Sequence, residues 1–178
     1  TGLGRGPDNH MLMFNLALSH LFAGDTATAE SLLVEIVSKP AAQSPQGESR
    51  IILGEILRAK GSANNLARAK TYFAEAMATF QQQLQTAPSL STAYLWFGAA
   101  ALGVGDTEAA RSALETALFL ESRPFYVGVI NLWLGKAADA LGDHAAANDY
   151  YGRVLSGMAA AYTQAEARRY MDKPYTQK

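Results

Sequence analysis

The sequence contains no cysteine, which excludes disulfide bonds and thiolate metal sites and leaves both the cytoplasm and the bacterial periplasm open as compartments. An excess of one charge is also lacking, because 15 basic residues stand against 16 acidic ones and the net charge is -1. A chain so balanced gives no electrostatic reason to expect nucleic acid or an anionic membrane as a partner. Charged residues make up 17% and hydrophobic residues 49%, which argues against disorder and favours a folded, alanine-rich helical protein.

Long hydrophobic runs are absent as well. The most apolar stretch, residues 93–104, is too short to cross a bilayer, so no direct insertion into a membrane is expected. No secretory signal is visible, and the chain begins with Thr1 rather than methionine. We expect a processed or trimmed piece, from which a signal peptide, an anchor or a neighbouring domain could have been removed.

Motifs that carry catalysis or bind cofactors are missing too. His10, His20 and His144 are far apart and form no zinc-ligand spacing, and no nucleophile motif of the G-x-S-x-G type occurs. The glycine-rich start, residues 1–6, lacks the lysine and the preceding strand of a phosphate-binding loop, so a flexible linker is the better interpretation. We therefore expect no catalytic residue, no cofactor, no metal and no enzymatic activity.

What the chain does have is a repeated helical hairpin, clearest over Tyr94–Leu120. Two apolar segments of helical period are separated there by Gly103 or Gly105 and then Asp106. The same pattern, a glycine followed by aspartate or serine, recurs at Gly24-Asp25, Gly61-Ser62 and Gly142-Asp143. Glycine can take the left-handed conformation that ends a helix, and aspartate or serine can cap the next one. The pattern predicts four helical hairpins, with turn glycines 37, 44 and 37 residues apart when Gly105 is taken as the third.

Small and large residues alternate between the two helices of each hairpin. The first helices carry a small residue after a large one, and the second helices carry alanine followed four positions later by a large residue. The pairs are Leu53-Gly54 with Ala69-x3-Phe73, Phe97-Gly98 with Ala110-x3-Leu114, and Leu134-Gly135 with Ala147-x3-Tyr151. The first hairpin is the most degenerate, with Leu16-Ala17 and Ala29-x3-Leu33. Small residues let two helices approach closely, and the large residue fills the space between them.

This pattern resembles the tetratricopeptide repeat (TPR) family, whose signature is W-x2-L-G-x2-Y followed by A-x3-F at a period of about 34 residues. The resemblance covers residues 8–155. Most of the family's Trp and Tyr positions are changed here, its closing proline is displaced, and the connections are longer. The resemblance implies an all-α fold: a right-handed α-solenoid of four TPR-like helical hairpins plus a C-terminal capping helix.

The predicted boundaries follow from the loops and the glycines. They are a flexible N-terminal segment (1–7), four repeats (8–40, 46–87, 89–122 and 124–157), a C-terminal capping helix (158–172) and a tail (173–178). The two prolines of residues 40–47 predict a loop between the first two hairpins. A longer turn is expected over residues 62–65, with the following helix over 66–85.

The family resemblance also implies a site, because the first helix of each TPR hairpin lines the concave groove. The groove positions expected to bind a partner are Phe14, Leu18, Leu21, Glu55, Arg58, Trp96, Trp133, Lys136 and Asp139. The positions at which some family members clamp a C-terminal carboxylate hold Phe14, Leu18, Ile52, Thr92 and Trp96 instead of Lys, Asn and Arg, so that clamp is absent. The groove is mainly apolar, with two polar pairs, Glu55 with Arg58 and Lys136 with Asp139.

These features favour a non-enzymatic bacterial scaffold that binds a partner peptide or helix in an apolar groove. Two alternatives remain: a self-assembling homo-oligomer, suggested by the nearly all-round apolar first helix, and an accessory or regulatory domain of a larger protein. A further alternative is that a terminal segment folds over the groove, in which case its residues are core.

Overall fold

The computed structural model describes residues 7–39 and 45–176, and these form nine α-helices with no strand. Residues 1–6 of the predicted flexible N-terminal segment, residues 40–44 of the predicted 40–47 loop and residues 177–178 lie outside the described residues. Pro7 is the exception, because it begins the first helix. The helices are α1 (Pro7–Phe22), α2 (Thr26–Ser38), α3 (Gln46–Lys60), α4 (Ala63–Thr86), α5 (Ser91–Val104), α6 (Thr107–Leu120), α7 (Pro124–Ala140), α8 (His144–Ser156) and α9 (Ala161–Asp172).

Consecutive helices pair into hairpins, and the hairpins stack. The pairs are α1/α2, α3/α4, α5/α6 and α7/α8, and each hairpin packs on the next through α2 with α3, α4 with α5, and α6 with α7. Helix α5 also contacts α3 and α7, so these three lie side by side as the inner row of the stack. The predicted all-α fold of four TPR-like hairpins and a C-terminal helix is confirmed.

Glycine ends the first helix of each hairpin, as the recurring glycine and capping residue predict. Gly24, Gly61, Gly105 and Gly142 have φ values of 83°, 71°, 99° and 81°, in the left-handed region that favours glycine. Asp25, Asp106 and Asp143 then accept a hydrogen bond from the backbone N–H three residues on, at Thr28, Ala109 and Ala146. The third turn glycine is therefore Gly105, whereas Gly103 lies inside α5.

The predicted pairing of small and large residues closes three hairpins. A Cβ atom on Gly54 would lie 2.5 Å from the ring of Phe73, and one on Gly135 would lie 2.2 Å from the ring of Tyr151. On Gly98 it would lie 2.6 Å from Leu114. Glycine at these places lets the facing side chain occupy the space of the missing Cβ, so the helices pack at short range.

Three boundaries differ from the sequence prediction. Helix α4 begins at Ala63 rather than at residue 66, because the Ser62 hydroxyl caps it by accepting the N–H of Asn65 at 3.2 Å. The last helix begins at Ala161, since residues 157–160 do not continue α8. The predicted tail contains Tyr175, which is 4% exposed and belongs to the core.

The apolar interior forms two clusters that meet at α3. The smaller one joins the first hairpin to one side of α3 and contains Phe14, Ala17, Ala29, Leu33, Ile36, Ile52, Leu53 and Ile56. The larger one begins with Ile51 and Leu57 on the other side of α3, runs through hairpins two to four, and includes Tyr170 and Tyr175 beyond α8. The two clusters border the site described next.

Candidate functional site

Helix α9 departs from the stacking order of the hairpins. It packs on α8, as the next repeat would, but it also contacts α7 and reaches α1 at the opposite end of the array. We refer to residues 161–176, which comprise α9 and the residues after it, as the C-terminal segment. The segment and the inner helices border a cleft with a volume of about 1250 Å³.

Eight of the nine predicted groove residues line this cleft. They come from the first helix of each of the four hairpins, α1, α3, α5 and α7: Phe14, Leu18, Leu21, Glu55, Arg58, Trp96, Trp133 and Lys136. Asp139, the ninth, is buried next to the cleft and does not line it. Side chains more than 100 residues apart in the chain thus border one space, because the helices that carry them are stacked in order.

Apolar side chains line much of the cleft. They include Phe14 and Leu18 of α1, Ile52 and Ile56 of α3, and Leu132 of α7. Leu18 is half-buried and the other four are buried, although all five border the cleft. An apolar surface of this kind loses its contact with water when a second apolar surface fills it.

A charged cluster lies at the border of α3 and α7. The Lys136 ammonium is 2.6 Å from a carboxylate oxygen of Glu55, and Arg58 pairs with the other oxygen of the same carboxylate. Burial by itself raises the pKa of Glu55, but the positive charges of Lys136 and Arg58 outweigh it, so the pKa lies below its usual value. Burial lowers the pKa of Lys136, and the Glu55 charge opposes that effect. The cluster therefore holds two cations on the two oxygens of one carboxylate.

Aromatic rings cover the two cations. The Lys136 ammonium lies 3.7 Å from the centroid of the Trp133 ring and 4.8 Å from that of Tyr175. The Arg58 guanidinium lies 4.9 Å from the centroid of Tyr175. At these distances a cation is attracted by the negative face of a ring, and the attraction strengthens where water is excluded. Tyr175 is thus shared by both cations and connects the C-terminal segment to the cluster.

Asp139 fixes the end of the C-terminal segment. Its carboxylate accepts the backbone N–H of Tyr175 and the hydroxyl of Tyr151, both at 2.9 Å, and the ring N–H of His144 at 2.7 Å. Burial and the hydrogen bond to Asp139 raise the pKa of Tyr151, so its hydroxyl keeps the proton that it donates. The predicted pairing of Lys136 with Asp139 is wrong, because Lys136 pairs with Glu55 on another helix.

The predicted groove residues differ in access. Trp133 is only 4% exposed, and Lys136 and Asp139 are buried as well, so these three are not open to a partner in this structure. Leu18, Leu21 and Trp96 remain half-buried along the open part of the cleft. The alternative in which a terminal segment covers the groove therefore holds at the fourth hairpin.

The sequence prediction missed the contribution of the C-terminal segment to this site. Tyr162, Glu166, Arg169, Tyr170 and Tyr175 all line the cleft. The tyrosines of α9 could be assigned from sequence to packing between helices, and Tyr170 does stack on Tyr151 with ring centroids 5.9 Å apart. No sequence signal indicates that the segment crosses to α1.

Neither a metal site nor a membrane span is found in the part of the chain that the structure describes. Among residues 7–39 and 45–176, no three His, Asp or Glu side chains are grouped so that they could hold a metal ion. None of the helices in these ranges is both long and apolar enough to cross a bilayer.

The sequence matches no protein-family model, and no curated protein matches it. Similar solved structures include a MamA chain (41-end) from Desulfovibrio magneticus RS-1, with 19% identity, a TM-score of 0.41, and coverage of 86% of this chain and 96% of that one. A crystal structure of MamA protein has 18% identity and a TM-score of 0.43, over 85% of this chain and 74% of that one. MamA AMB-1 has 16% identity and a TM-score of 0.37, over 85% and 92%. These identities and TM-scores do not bear on what this chain binds, which we infer from its own residues.

Proposed function

We propose that this protein is a non-enzymatic scaffold of the TPR type that binds an apolar peptide or helix of a partner protein in the cleft. One observation carries the proposal: a cleft of about 1250 Å³ is bordered by side chains from the first helix of each of the four hairpins. A space of that size can take several side chains of a peptide, and aromatic residues such as Trp96 are the usual centres of such contacts. The net charge of -1 gives no comparable support for a nucleic acid partner.

A peptide selection tests this function and does not require the partner to be identified. Displayed peptides of about 20 residues, the length of a helix that fits a groove, are selected on the full chain, and their affinities are then measured on variants. Trp96→Ala removes a half-buried ring that lines the cleft, so selected peptides should bind about 30-fold more weakly, or about 2 kcal/mol.

Phe119→Ala is the matched control. Its ring is 89% exposed on the outer helix α6 and does not line the cleft, so its removal should leave the affinity unchanged. Circular dichroism checks that both variants keep their helices. Selected peptides that bind the Trp96 and Phe119 variants equally well would contradict the proposal.

Self-association is a second candidate, and a separate surface favours it. Leu12 and Leu16 on α1 are large, apolar and exposed, and neither lines the cleft. The ends of a repeat array expose apolar surface unless another element caps them. If this surface joins two copies, light scattering should give a mass that increases with concentration, and Leu12→Glu with Leu16→Glu should return it to the monomer. A monomer mass at all concentrations would exclude this candidate.

A further inference from the structure

The C-terminal segment is held by one side of α9. Thr163, Ala167 and Tyr170 are the buried residues of α9, and their spacing of four and three places them in a stripe along this side of the helix. Arg168, on the opposite side, is exposed. A helix with one buried stripe has the pattern of an amphipathic peptide laid in a groove.

The surface beneath this stripe contains the residues that the family resemblance assigns to partner binding. Tyr170 and Tyr175 lie over Lys136, with ring centroids 5.6 Å and 4.8 Å from its ammonium. Asp139 accepts a backbone N–H from Tyr175, a contact that any residue other than proline can make. The segment therefore occupies part of the cleft with contacts that a second chain could reproduce.

The connection to the rest of the chain is short and not helical. Helix α8 ends at Ser156, and Gly157 has φ and ψ of -98° and -177°, which is extended backbone. Within residues 157–160, Ala159 packs against Gly128 so closely that a Cβ on this glycine would lie 2.7 Å from the Ala159 Cβ. A substitution at Gly128 can thus displace the connection without changing the segment or the surface beneath it.

From these contacts we propose that residues 161–176 occupy the part of the cleft in which the partner binds, and that they compete with the partner for it. The partner would supply a helix with the same stripe of small residues and tyrosine, followed by an extended aromatic residue, and would displace the segment. Alanine in the stripe permits close approach, and the tyrosine rings of the partner replace the aromatic cover that Lys136 and Arg58 lose when the segment leaves. The proposal rests on the scaffold function above.

A labelled peptide with the sequence of residues 158–178 tests the proposal on the full chain by fluorescence anisotropy. The wild-type protein should bind this peptide weakly, because its own C-terminal segment occupies the same part of the cleft at a high effective concentration. Tyr170→Ala with Tyr175→Ala in the protein weakens the resident segment, so the peptide should bind roughly tenfold more tightly or better. Gly128→Ala in the protein should also increase the affinity for the peptide, because it displaces the connection to the resident segment. This variant still tests the proposal if the double variant unfolds.

Peptide variants provide the matched controls. A peptide with Tyr170→Ala should lose roughly tenfold or more in affinity, whereas one with Arg168→Ala should bind like the parent, since that side chain is exposed on α9. Equal binding of the parent peptide to wild-type and variant proteins, or no binding to the folded Gly128→Ala variant, would overturn the proposal. Dimers that form through exchanged segments and dissociate on addition of peptide would identify a second copy as the occupant and would also overturn it.

Failure of this proposal can be told apart from failure of the scaffold function. Peptides selected on the full chain that depend on Trp96 but do not compete with the 158–178 peptide would refute the competitor and leave the scaffold in place. If no selected peptide depends on Trp96, the scaffold function itself fails.

Discussion

The first and fourth hairpins have equivalent places in the repeat but different surroundings. Helix α1 contacts α2 and α9, and several of its large apolar side chains are exposed. Helix α7 is packed among α5, α6, α8 and α9, and every residue from Gly128 to Asp139 is buried, including a lysine and an aspartate. In a stacked array, the neighbouring helices therefore decide what is buried more than a residue's own chemistry does.

The strongest test of this comparison uses one residue type at one repeat position. Leu134 of α7 is 1% exposed, and Leu16, its equivalent in α1, is 49% exposed. Leu134→Ala should lower the free energy of unfolding by about 2–5 kcal/mol, because it leaves a cavity in the larger core. Leu16→Ala should cost less than about 0.5 kcal/mol. Urea titration measures both, and equal losses would mean that the two surroundings do not differ in energy.

Two lysine–glutamate pairs extend the comparison to charge. Lys136→Met removes the buried one of the two cations that pair with half-buried Glu55, and we expect a loss of about 2–3 kcal/mol, since Arg58 still pairs with that carboxylate. Lys60→Met breaks a pair in which Lys60 of α3 is exposed and Glu30 of α2 is half-buried, with an expected loss below about 1 kcal/mol. Urea titration at low and high salt distinguishes the two variants, because salt ions screen the exposed lysine more than the buried one. A salt-sensitive loss at Lys136 would argue against its burial.

Two glycines of the fourth hairpin test close packing. Gly135→Ala places a Cβ against the Tyr151 ring, which Asp139 holds by a hydrogen bond, and should cost about 1–3 kcal/mol. Gly152→Ala, on α8, meets no atom within 4 Å and should stabilise the helix by about 0.5–1 kcal/mol. Thermal unfolding should therefore shift in opposite directions. A shift of the same sign in both variants would show that close approach is not what Gly135 provides.

The smallest expected effect concerns the connection between the third and fourth hairpins. Hydrogen bonds from the Arg123 side chain lower the pKa of Glu121 from 4.5 to about 2. Burial opposes this shift, and hydrogen bonds from the Arg123 N–H and the Ser91 hydroxyl add to it. Because the folded pKa lies below the unfolded one, this stabilisation is present above pH 4.5 and is lost as the pH falls toward 2. Glu121→Gln should cost about 1 kcal/mol at neutral pH, and the difference from wild type should shrink over that window. A difference independent of pH would contradict the assignment.

The sequence predicts the hairpins well because their signals are local. A glycine that ends one helix and an aspartate that caps the next lie side by side, as at Gly142 and Asp143, and the conformation they need depends on few other residues. The pairing of Gly135 with Tyr151 is also predictable, since both positions belong to one hairpin. The longer turn expected after Gly61 was wrong because the Ser62 cap starts α4 without further residues.

The site is less predictable, because its geometry depends on distant parts of the chain. The family resemblance identifies eight residues that line the cleft, yet it pairs Lys136 with Asp139 on the same helix. Lys136 instead meets Glu55, 81 residues away, and Asp139 meets Tyr175, 36 residues away. A periodic pattern indicates which face of a helix is apolar, whereas the partner of a charge is fixed by how the helices stack.

Local signals in the sequence thus predicted four hairpins and the glycines that end their first helices, because conformational preference and side-chain size act within about 40 residues. The tertiary structure alone decided that the C-terminal segment crosses from α8 to α1 and covers Trp133 and Lys136. That choice depends on the shape of the stacked inner face and on the burial of Tyr170 and Tyr175 against it, which exists only once the hairpins have packed.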